Sequence, residues 1–103
     1  MSNVSIVKHE DIQSGSPKEY ELQPTPDGKS ALLERIGITP LHGELISLVI
    51  SYDGDVIRSI CTDMTQELAI NIAYLGDGSK RFKVEIATTA NQAYTAWLDA
   101  KVI

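Results

Sequence analysis

Residues 43–60, GELISLVISYDGDVIRSI, constrain the fold more than any other part of the chain. Apolar, β-branched residues crowd both sides of Asp53-Gly54, and both turn residues tolerate the positive φ that a two-residue hairpin loop demands. The reading is an antiparallel hairpin faced with Leu, Ile and Val. A lone hairpin is marginal in water, so the rest of the chain has to pack around it.

Further strands are written in the same style. Phe82, Val84 and Ile86 alternate with Lys83, Glu85 and Ala87, the period of a half-buried strand. Leu68, Ile70, Ile72 and Tyr74 alternate as well, and Gly76-Asp77-Gly78-Ser79 then reads as the turn of a second hairpin returning through residues 81–88. A helix also fits residues 62–76, with Met64, Leu68, Ile72 and Leu75 on one face, Asp63 and Gln66 as a capping pair and Gly76 as the stop. The isoleucines and Asn71 favour the strand. Residues 31–38 read either as a two-turn helix on Leu32, Leu33 and Ile36 or as an irregular strand. Residues 90–103 are open in the same way: Leu98, Ala100 and Val102 alternate, while Tyr94, Trp97, Leu98 and Lys101 share a helix face. The expected fold is mainly β, a single-domain sandwich or partly open barrel of about six or seven strands. The alternative is an α+β fold with residues 62–76 helical.

Residues 1–29 differ in character. SGSP at 14–17, then Pro24, Pro26, Asp27 and Gly28, are turn and breaker signals with short extended pieces between them. This segment reads as an extended, proline-bearing arm with little core of its own, ahead of a β-rich globular domain over residues 30–103. Such arms are stable when laid against something. Residues 23–30, QPTPDGKS, end in Gly-Lys-Ser as a phosphate-binding loop does. Gln23 stands where that loop begins with glycine, however, and Pro24 and Pro26 remove backbone N–H groups that would cradle phosphate. The stretch reads as a proline-bounded turn.

Composition narrows the function. A chain of 103 residues is one domain, and its net charge of −5 opposes holding nucleic acid by neutralising phosphates. Lys80, Arg81 and Lys83 read as the solvated start of a strand. Tyr20, Tyr52, Tyr74, Phe82, Tyr94 and Trp97 lie far apart in sequence and suggest no platform for stacking bases. The single cysteine, Cys61, excludes an internal disulfide and a two-cysteine metal clip. At the end of an apolar strand it reads as a buried, inert thiol. His9 and His42 have no partners at a useful metal spacing. Asp53, Asp55, Asp63 and Asp77 sit in or near turns, where Asp is favoured for backbone reasons. No catalytic, cofactor-binding or metal-binding residue is therefore expected, and the chain does not read as an enzyme. No apolar run reaches the roughly 18 residues of a membrane span, and the N-terminus lacks the pattern of an export signal. The expected location is the cytoplasm or a virus particle assembled there.

These observations suggest a non-enzymatic structural subunit of a larger assembly, in the manner of a viral or phage capsid decoration or connector protein. Its expected partners are copies of itself, as a homo-oligomer, or a larger protein shell, with no direct contact to nucleic acid or membrane. A small β core gains from oligomerisation, and an arm suits lying across a neighbour. The expected interface residues are Val4, Ile6, Tyr20 and Leu22 in the arm, and Trp97, since aromatic anchors are enriched at interface hot spots. The alternative role is a small acidic inhibitor or adaptor seated on a basic surface of a host protein.

Overall fold

The computed structural model describes residues 2–12, as backbone course, and residues 17–88 and 91–103 in full. They form eight strands: β1 (Ser2–Ile12), β2 (Lys18–Glu21), β3 (Ser30–Pro40), β4 (Ile46–Tyr52), β5 (Asp55–Thr62), β6 (Gln66–Leu75), β7 (Phe82–Thr88) and β8 (Gln92–Val102). Two four-stranded antiparallel sheets result, in the orders β1-β8-β3-β6 and β2-β7-β4-β5. The mainly β sandwich expected from the sequence is the architecture found. It carries eight strands rather than six or seven, and the sheets do not close into a barrel.

Only β4 and β5 are both consecutive in sequence and paired; every other connection crosses from one sheet to the other. This is the strand order of a double-sheet jelly roll. The β4–β5 turn is as the sequence demands, with Asp53 at φ 52° and Gly54 at φ 85° and Tyr52 opposite Asp55. The second expected hairpin is not formed. Strand β6 pairs with β3 and β7 pairs with β4, so the loop after Gly76 carries the chain between the sheets. Residues 31–38, 62–76 and 90–103 contain no helix among their described residues.

The core lies between the sheets. Strand β3 presents Leu33, Ile36 and Ile38 and β8 presents Tyr94, Ala96, Leu98 and Ala100; opposite them stand Ile46, Leu48 and Ile50 of β4 with Phe82, Val84 and Ile86 of β7. Full burial of one such aliphatic side chain contributes about 1.5–3 kcal/mol. The segment read as an arm contributes a strand to each layer: β1 pairs with β8, and β2 pairs with β7. Leu22 and Thr25 are buried, and the Tyr20 hydroxyl is hydrogen-bonded to that of Tyr94 across the sandwich.

The Gly-Lys-Ser stretch is a turn docked on the β6–β7 loop. The Thr25 N–H donates to the Lys80 carbonyl at 2.8 Å, the Gly78 N–H to the Thr25 carbonyl at 2.9 Å and the Gly76 N–H to the Lys29 carbonyl at 2.8 Å. Gly76 is required by close approach, because a Cβ there would fall 2.4 Å from Thr25 Cγ2 and 2.7 Å from the Pro26 carbonyl oxygen. Asp77 pins the loop by accepting from the Ser79 N–H at 2.8 Å, the Ser79 hydroxyl at 2.8 Å and the Lys80 N–H at 2.9 Å. Those hydrogen bonds, led by the Ser79 N–H, hold its carboxyl below the usual pKa.

Two predictions follow from this packing. Leu22→Ala should lower stability by about 2–5 kcal/mol as a core truncation, and Tyr20→Phe by about 0.5–1.5 kcal/mol. Urea denaturation of the full chain measures both, and a Leu22→Ala change within about 0.5 kcal/mol of the parent, the range of surface substitutions, would remove that residue from the core. Because the Asp77 carboxyl is more acidic folded than unfolded, its contribution is present at neutral pH and lost as pH falls through its lowered range. The stability gap between the parent and Asp77→Ala should therefore close on acidification; a gap constant down to strongly acid pH would mean that the charge does not hold the loop.

Candidate functional site

The two sheets end on one side of the sandwich in β5 and β6, and that side is incompletely closed. A cleft of about 340 Å³ opens there, lined from β5 by Val56, Ile57 and Arg58, from β6 by Ile70, Ile72 and Tyr74, and at one end by Tyr52, Asp53, Asp55 and Lys80. Its origin is local. Strand β5 carries an extra residue, Ile57, between the partners of Ile50 and Ser51. On β6, Asn71 takes a left-handed conformation at φ 55°. Both irregularities sit beside the cleft, and bulges of this kind bend a strand away from flat pairing.

The core-facing row of β6 is consequently only part-covered. Leu68, Ile70 and Tyr74 pack against the core from its margin, while Ile72 stays 46% exposed. Val56 at 65%, Met64 at 68% and Leu75 at 68% add further apolar surface on β5, on the loop between the strands and at the end of β6. Tyr52, Tyr74 and Phe82 close one end as a cluster, with ring centroids 4.8–5.7 Å apart, and the Tyr52 hydroxyl donates to the Leu75 carbonyl at 3.1 Å. Burial raises the Tyr74 phenol pKa, against the opposing pull of the Arg58 charge. Arg58 is paired with the core residue Ile50 in register, so a cation stands in the inward row of an edge strand.

The outer face of the first sheet carries a different feature, a shallow polar groove lined by Glu34, Arg35, Glu67, Ala69, Asn71, Asp99 and Ala100. Arg35 is ion-paired with Asp99, and Lys101 with Glu34 at 3.6 Å. Trp97 lies along this face. Its indole N–H donates to Glu67 Oε2 at 2.9 Å, and its ring covers Gly37 so closely that a Cβ there would fall 2.2 Å from Cε2 and Cζ2.

The residues expected at an interface are thus distributed rather than gathered. Leu22 is buried and Tyr20 is half-buried beneath β2, whereas Trp97 is half-buried on the outer face of the other sheet. Val4 and Ile6 lie on β1, opposite Ala100 and Leu98 in register, and their side chains are outside the described residues. The exposed apolar row of β5 and β6 was not among the residues expected from sequence. Cys61 is a correction: it is exposed, because its partner Ser47 lies on the outer row of β4. Of the basic cluster, Arg81 and Lys83 are paired on the outer face of the second sheet, Arg81 with Glu21 at 3.5 Å and Lys83 with Glu85 at 3.3 Å and Glu19 at 3.4 Å, while Lys80 lines the end of the cleft. Among the described residues, no three His, Cys, Asp or Glu side chains gather as metal ligands would, and no helix is long and apolar enough to cross a membrane.

No protein-family model matches this sequence, and no curated protein matches it. Solved structures do resemble the fold. One is the insecticidal delta-endotoxin Cry8Ea1 from Bacillus thuringiensis, at a TM-score of 0.53 and 8% identity over 92% of this chain and 19% of the toxin chain. Another is a chain of the infectious bursal disease virus Gt strain structure, at a TM-score of 0.43 and 11% identity over 100% of this chain and 30% of the viral one. This chain therefore spans about a fifth of the toxin chain. At that identity the toxin likeness shows the two-sheet fold and nothing of function; the viral likeness is too distant to carry an argument.

Trp97 is the one tryptophan, so its seat can be tested directly. Gly37→Ala should displace the indole, shift its fluorescence emission and cost about 1–3 kcal/mol as overpacking. Unchanged emission together with unchanged stability would mean that the ring does not rest on Gly37.

Proposed function

We propose that this chain is a non-enzymatic structural subunit of a larger assembly, of the kind that decorates or connects the shell of a virus or phage particle. Its work on this reading is cohesion through buried area and strand edges, and its partners are protein: further copies of itself or the larger shell. Double-sheet jelly rolls serve as capsid subunits, but also as lectin and cupin domains, so the fold alone does not choose. The observation that carries the reading is the β5–β6 side of the sandwich, where two sheets end together around a cleft of mixed apolar and charged lining, with Val56, Met64, Ile72 and Leu75 exposed on that side. A long apolar edge strand is a template for pairing, and proteins that have no use for one blunt it. The net charge of −5 agrees with a protein partner rather than a phosphate backbone.

Rate-zonal sedimentation of an extract from the native source, followed with an antibody to this chain, tests the proposal. Migration with a large particle is the expected result. Migration as a small species with one basic partner, released steeply by added salt, would overturn it in favour of an acidic inhibitor or adaptor.

A further inference from the structure

The four edge strands of the sandwich are not protected alike. Strand β2 is four residues long and three of them, Lys18, Glu19 and Glu21, are charged; Glu19 and Glu21 are held by Lys83 and Arg81. Strand β1 includes the charged run Lys8-His9-Glu10-Asp11. Strand β6 is ten residues long with one charged residue, Glu67, and that carboxylate is engaged by the Trp97 indole. From Leu68 to Leu75 it has neither a charge nor a proline. Lysine, proline and short length are among the means of keeping an edge unpaired, and β6 has none of these three; the irregularities at Asn71 on β6 and Ile57 on β5 are the devices that this side does carry.

Resting on the structural-subunit reading and naming its partner, the geometry points to a second copy of this chain on the β5–β6 side, related by a two-fold axis perpendicular to the sheets. Such an axis sets β5 antiparallel to its copy and β6 antiparallel to its copy, so both four-stranded sheets continue across the contact. The charges of β5 select this arrangement. Its only charged residues are Asp55 and Arg58, both exposed and without an ion pair within the described residues. With the axis between Val56 and Ile57, Asp55 of each copy stands beside Arg58 of the other, and one isologous contact makes two opposite-charge pairs. Moving the axis to Asp55 or to Arg58 sets like charges directly opposite each other, which is unfavourable in a sheet, and moving it to Val56 or to Ile57 leaves both residues without an opposite charge.

Strand β6 fits the same axis. Val56, Ile57 and Arg58 line one cleft with Ile70 and Ile72, so an axis through the first group passes close to Ile70, Asn71 and Ile72 on β6. Ile72 and Val56 then lose their water. Glu67 lies near one end of β6, and antiparallel pairing carries the two copies of it to opposite ends, whereas parallel pairing in register would stack them.

Self-complementary charge makes the test specific. The purified full chain is measured by light scattering after size-exclusion chromatography over a concentration series, alongside Arg58→Asp, Asp55→Arg, the double swap and an equimolar mixture of the two single variants. The expected result is a dimer for the parent, a shift of at least tenfold towards monomer for each single variant, and a dimer again for both the double swap and the mixture. A parent that is monomeric throughout overturns the inference, as does a dimer indifferent to both single changes or one that neither the double swap nor the mixture restores. Circular dichroism of each variant separates lost association from lost folding. Because native particles play no part in this measurement, its failure leaves the sedimentation test of the structural-subunit reading standing, and the converse holds.

Discussion

Closure of two sheets over a thin aliphatic layer is the constraint on which everything else in this molecule depends. Leu33, Ile36, Ile38 and Leu98 from one sheet and Ile46, Leu48, Ile50 and Ile86 from the other are almost wholly withdrawn from water. That layer is one side chain deep on each face, the thickness that packed sheets allow. Its two flanks end differently. On the β2 side, Tyr20 of one sheet meets Tyr94 of the other. On the β6 side a hydroxyl tie from Tyr52 to the Leu75 carbonyl holds the end of the flank, and the cleft opens beside it.

The connectivity makes that closure cooperative. Since each link other than β4–β5 crosses between sheets, the paired strands of each sheet are joined by chain that passes through the other. The crossing at Gly76 shows how such a link is secured: Thr25 packs on a position where no side chain fits, and backbone hydrogen bonds tie the 25–29 turn to the 76–80 loop. Loop-closure entropy must be met before these distant contacts form, which places the domain among slow, non-local folders.

Much of the fold was legible in the sequence, and the parts that were not have local causes. Strand β7 alternates without interruption, and it reads correctly. Strand β3 looked half-helical because the register shift between Leu33 and Arg35 puts Leu33 and Ile36, three residues apart, on the same buried face; three is a helical spacing. The bulge at Ile57 likewise moves Cys61 to the outer row, whereas its place at the end of an apolar strand suggested burial. Alternation in β6 and the glycines after it state that a strand ends and the chain turns, but not into which sheet the chain goes next. That choice is made by long-range pairing, which is why a crossing was read as a hairpin. The cluster of Tyr52, Tyr74 and Phe82 and the open β5–β6 flank have the same origin, since neither exists until the sheets are stacked.

Edges are where a sandwich of this size must reconcile folding with solubility. A net charge of −5 keeps copies apart at long range, but it does nothing for a particular strand whose own charges are absent. Evolution of an isolated monomer would be free to place lysine at Ala69 or Ala73, both exposed, because neither position contributes to the core. The Leu68–Leu75 run is instead uncharged, and the β5 edge carries one acid and one base three residues apart. An uncharged edge strand beside one with complementary charges is useful to a domain that meets its own copy, and the irregularities at Asn71 and Ile57 limit how freely either edge pairs. In the dimer proposed above, long-range repulsion would suppress indiscriminate aggregation while short-range complementarity favours the register that pairs Asp55 with Arg58.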